Sequence, residues 1–70
     1  MEYLLVRFPR SRRVIIDGEF NGRTNELIEL EAGTYTVSLG PPPNFTPESR
    51  RVVLRNTSAL EPKEVTFDET

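Results

Sequence analysis

The sequence has no cysteine, no histidine and no tryptophan, and only one lysine and one methionine. Without cysteine there is no disulfide to staple the fold, no thiolate nucleophile and no thiolate metal ligand; without histidine the commonest general base and metal ligand are also missing. No cofactor, metal centre or small-molecule substrate is expected, and the chain reads as non-enzymatic. No apolar run approaches the length of a membrane span. The N-terminal MEYLLVRFPR has an acidic second residue and no apolar core of signal-peptide length. As given, the chain reads as cytoplasmic, and a surface role would need segments outside these residues.

The 70 residues allow a single domain, residues 1–70. A domain this small buries only about 60% of its unfolded surface, so stability must come from packing, backbone pairing or association with another chain. The formal charge is −2 and the pI about 5.1, which disfavours general nucleic-acid binding. The charges are segregated, however. Residues 1–13 hold four Arg and one Glu, whereas residues 14–31 hold five acids and one Arg, a pattern that predicts faces of opposite sign.

The dominant hydrophobic period is two. In TYTVSL, Tyr35, Val37 and Leu39 alternate with hydroxyls, the mark of a half-buried antiparallel strand. KEVTFD puts Val65 and Phe67 inward, RRVVLR does the same with Val52 and Leu54, and EYLLVRF with Leu4, Val6 and Phe8. The segment ELIEL reads as a strand with Ile28 and Leu30 inward. No window shows a helical period, and the six prolines oppose one. The expectation is an all-β fold, a small antiparallel β-sandwich of about six or seven strands.

Two connections stand out. DGEFNG, residues 17–22, carries Asp-Gly and Asn-Gly, both strong turn signals; it reads as two corners, with Phe20 between them turned inward. GPPPNFTPES is the one long loop. Pro41, Pro42 and Pro43 favour an extended polyproline II run, and Phe45 is placed to fold back over one open end of the sandwich.

These turns resemble those of the PEGA family of small β domains. Val14-Ile15-Ile16-Asp17-Gly18, then Gly22-Arg23-Thr24, then Ala32-Gly33-Thr34-Tyr35-Thr36-Val37 follow the family order and spacing. Asn25 stands where the family has proline, and Pro9-Arg10-Ser11-Arg12 keeps only the proline of the name motif. The resemblance implies an immunoglobulin- or transthyretin-like sandwich, used as a non-catalytic module in bacterial and archaeal surface or multidomain proteins. Arg12, on the parity of Val14 and Ile16, is expected at the rim with its stem packed and its head in water.

The expected role is an interaction or structural module. Its contact residues are taken as Arg7, Arg10, Arg12 and Arg13 with the proline loop, Pro41, Pro42, Pro43 and Phe45. A protein partner or self-association is expected, with Leu5 and Val53, both on outward parity, as one apolar patch if adjacent. The alternative is nucleic-acid binding by the arginine-rich face. Against it stands a rim in which those arginines pair with the glutamates of residues 26–31.

Overall fold

The computed structural model describes all of residues 1–70. It contains nine strands and no helix: β1 Glu2–Arg7, β2 Arg13–Ile16, β3 Glu19–Arg23, β4 Leu27–Leu30, β5 Gly33–Leu39, β6 Phe45–Thr46, β7 Arg50–Leu54, β8 Lys63–Thr66 and β9 Asp68–Glu69. A three-stranded layer in the order β4-β1-β8 faces a four-stranded layer in the order β3-β2-β5-β7, and β6 pairs with β9 in a small separate ladder. The count exceeds the expected six or seven because residues 19–23 form a strand of their own and β6 and β9 are two residues long. Pairing is antiparallel throughout except between β1 and β8, which run parallel.

Alternation fixes the core. Leu4 and Val6 of β1, Ile28 of β4 and Val65 of β8 meet Val14 and Ile16 of β2, Val37 and Leu39 of β5, and Val52 and Leu54 of β7; Phe8 and Phe67 complete the buried cluster. Each such side chain contributes about 1.5–3 kcal/mol when fully buried. Leu30, Tyr35 and Phe45 pack partly buried against it. Phe45 caps the end as expected, its ring edge-on to Phe67 at 5.8 Å and 86°.

The DGEFNG segment departs from its reading. Only Asp17-Gly18 is a corner: both residues have positive φ, 50° and 84°, as the two-residue hairpin turn between twisted strands requires. Gly22 lies inside β3, also at positive φ, 85°. There Ile15 faces Phe20 and Arg13 faces Arg23, so three steps on β3 match two on β2, a bulge that tolerates left-handed glycine. A Cβ at Gly22 would stand 2.9 Å from Ile28 Cγ1, so glycine also admits the other layer's core residue. Phe20 does not turn inward. Opposite Ile15, whose neighbours Val14 and Ile16 are buried, its parity is outward, and it is 60% exposed.

After the bulge, two residues stitch the layers together. Thr24 is buried; its Oγ1 donates to the Arg10 carbonyl at 2.7 Å and accepts from the Arg12 amide at 2.8 Å. Asn25, at φ 64°, gives its amide to the Val6 carbonyl. Its side chain accepts from the Phe8 amide at 3.2 Å and donates to the Phe8 carbonyl at 2.8 Å. A proline at position 25 would lack the amide that Val6 receives, so these bonds account for asparagine here.

Leu5 and Val53 do point outward, but from different layers, so they lie on opposite outer faces and form no common patch. The outward neighbour of Leu5 is Leu27, its register partner.

Thr24→Val keeps the shape but leaves the Arg10 carbonyl and the Arg12 amide unpaired, and should lower unfolding free energy in urea by about 1–3 kcal/mol; a loss too small to resolve would contradict the stitching role. Glu2 accepts from the Thr57 hydroxyl at 2.6 Å and the Thr57 amide at 2.9 Å. The hydroxyl bond, then the amide bond, hold its carboxyl below the ordinary 4.5, against a smaller opposing effect of desolvation. A depressed folded pKa gives stability that is present above 4.5 and lost as pH falls through the folded value. Glu2→Gln should therefore flatten the acid limb of stability against pH, whereas an unchanged limb would place the acid sensitivity elsewhere.

Candidate binding surface

The four arginines of residues 7–13 have different fates. Arg7 Nε donates to Glu64 at 2.7 Å and Arg10 Nε to Glu69 at 2.5 Å, the two ion pairs of the molecule. Both acids come from the C-terminal strands, not from residues 26–31 as expected, because β8 lies beside β1 and β9 closes the end near residue 10. Exposed pairs of this kind contribute roughly 0–1 kcal/mol. Arg12 sits at the rim, but its head is not left to water. Its guanidinium lies 5.0 Å above the Phe8 ring and donates to the carbonyls of Gly40 at 3.3 Å and Pro42 at 2.9 Å. The strand end brings it level with the loop, whose carbonyls replace solvent.

Arg12 thus ties the proline loop to the sandwich. Pro41, Pro42 and Pro43 are exposed, and the chain bends at Pro41 and Pro42, so the run is not a straight polyproline II rod. Phe45 is turned toward the core, half-buried on Phe67.

Arg13 is the remaining one, and it belongs to a surface the sequence does not advertise. On the outer face of the four-stranded layer, Arg13 lies directly opposite Arg23, and Ile15 lies between its register partners Phe20 and Ser38. Farther along, Thr36 faces Arg51 and Thr34 faces Val53. Arg13 stacks over Phe20, 5.4 Å from the ring centre, and Arg23 Nε donates to the Ser11 hydroxyl at 3.0 Å. Neither Arg13, Arg23 nor Arg51 takes part in an ion pair. Among the strand and hairpin residues of this face Asp17 is the one carboxylate, and its Oδ1 is engaged by the Thr36 amide at 2.8 Å. Cross-strand arginines are mutually unfavourable, and guanidinium forks match carboxylate and phosphate oxygens. The arrangement can therefore hold an anion.

Sequence reasoning found Arg13 but missed Phe20, Arg23 and Arg51. The available signal was the Asp17-Gly18 hairpin, which pairs residue 20 with residue 15 and so fixes Phe20 outward. Away from this face, the one recess in the molecule is shallow, about 290 Å³, and is lined by Arg7, Phe8, Pro9, Asn25, Thr66, Phe67 and Asp68. It holds one carboxylate, and the Asn25 amide in it is already bonded to Phe8. No group of three or more carboxylates comes together as a cation site. No helix is long and apolar enough to cross a membrane.

No curated protein and no solved structure matches this chain. The family model described as PEGA domain matches residues 8–68, a span that contains the hairpin, the glycine bulge, the Thr24-Asn25 stitch and strands β2 to β8. With the two-layer fold and these turns in place, the chain belongs to the PEGA domain family, a family of small non-catalytic β domains.

Proposed function

We propose that this chain is a non-catalytic interaction module whose contact surface is the outer face of the four-stranded layer, centred on Arg13, Phe20, Arg23 and Arg51. The observation that carries this reading is the directly opposed pair Arg13 and Arg23. Neither has a carboxylate partner, although the molecule carries more acids than bases. Arg7 and Arg10 are the two arginines with such partners; what sets Arg13 and Arg23 apart from the other unpaired arginines is that they face each other directly across two strands. The absence of His and Cys from the sequence and the lack of a deep cleft with converging acid and base support a binding role over catalysis.

The exposed loop at Pro41–Pro43, held to the same end of the sandwich by Arg12, forms a flank of this surface. The partner is anionic, because the face offers guanidinium groups, hydroxyls and one aromatic ring but almost no acceptor charge.

Retention on a sulfated polyanion resin tests the location. Arg13→Ser/Arg23→Ser and Arg7→Ser/Arg10→Ser remove the same charge from different places. The first double variant should elute at clearly lower salt than the second. Equal elution would show that net charge alone governs retention and would remove the assignment to this face.

A further inference from the structure

Resting on that reading of the outer face, the geometry points to a single-stranded nucleic acid as its occupant, with Phe20 as the stacking platform for a base and Arg13, Arg23 and Arg51 as phosphate contacts. Guanidinium forks by themselves suit the carboxylates of an acidic protein as well as phosphates. What lies beside them decides. Phe20 is 60% exposed even with Arg13 stacked on it. The ring gives an unpaired base a stacking partner beside the guanidinium groups, which a carboxylate side chain does not need. Base–aromatic stacking beside arginine, on a positively charged β surface, is how small β folds hold single strands.

The shape of the face agrees. Between the Arg13–Arg23 pair and Arg51 stand Ile15, Ser38, Thr36 and the Asp17 turn, with the Ser38 hydroxyl donating to the Glu48 carbonyl at 2.8 Å. Arg51 lies two strands across and four residues along from Arg13, roughly 16 Å away on sheet spacings. A face of that extent suits a short run, on the order of four nucleotides, the low end for small β folds. The hydroxyls of Thr34 and Thr36 line the remaining surface. A duplex keeps its bases stacked inside and would leave Phe20 without a role. Glu29 and Glu64 lie on the outer parity of the other layer, away from where the strand would lie.

The test is an amide-shift titration of the labelled full chain with a short oligothymidylate at low and high salt, run in parallel with a polyglutamate peptide of matched charge. The expected result is a set of shifts confined to Arg13, Ile15, Phe20, Arg23, Thr36 and Arg51 with the oligonucleotide, collapsing as salt rises. Phe20→Ala, at an exposed position where the fold does not depend on the ring, should weaken that binding about tenfold. A polyglutamate response equal to the oligonucleotide's, or a Phe20→Ala variant that binds the oligonucleotide as tightly as the parent, overturns the nucleic-acid assignment and leaves the anionic binding face standing. Silence of the face toward both polyanions overturns both.

Discussion

Everything on the surface of this domain depends on the two-residue period of its strands. Both layers turn one set of side chains to a shared core, and the twelve apolar residues buried there fix the direction of every residue between them. Arg13 and Ile15 face out because Val14 and Ile16 face in; Arg51 and Val53 do so because Val52 and Leu54 are buried. The single adjustment is the bulge at Gly22, which lets Phe20 and Arg23, three residues apart, stand on the same outer face. The candidate surface is thus a consequence of core formation plus one glycine that faces Ile28 of the other layer.

Within that frame the arginines divide into two groups. Arg7, Arg10 and Arg12 reach across the sequence to Glu64, Glu69 and the carbonyls of residues 40 and 42, and they secure the ends of the sandwich. Arg13 and Arg23 have only local contacts, with the Phe20 ring and the Ser11 hydroxyl, and Arg51 takes part in no ion pair. Arg13 and Arg23 face each other across two strands, which opposes stability. A local choice that disagrees with an otherwise consistent fold is where function is expected to lie. Of the clustered arginines at residues 1–13, Arg7, Arg10 and Arg12 are engaged within the chain, and the proposed surface takes Arg13 together with residues from β3 and β7.

Core positions were legible in the sequence because burial follows local alternation: TYTVSL, RRVVLR and KEVTF each declare their inward residues without reference to the rest of the chain. The turn residues declared the family by spacing alone. What could not be read is what pairs with what. The partners of Arg7 and Arg10 lie 57 and 59 residues away, and no local pattern encodes the parallel β1–β8 pairing that delivers Glu64. For the same reason the shared outward parity of Leu5 and Val53 could not show whether they are adjacent; pairing puts them on different layers. The two glycine signals around Phe20 look alike in the sequence; only one makes a corner, and the bulge that absorbs the other is visible only once the register of β3 on β2 is known.

On the proposed reading, the opposed arginines serve binding at some cost to folding. The decisive experiment is urea unfolding of Arg23→Thr against the parent, without ligand and at low and high salt. Removing one member of a like-charged cross-strand pair should raise stability by a few tenths of a kcal/mol to about 1 kcal/mol at low salt, and the gain should shrink as salt screens the repulsion. A variant less stable than the parent at both salt concentrations would show instead that Arg23 is a structural residue, held by Ser11 and its strand neighbours.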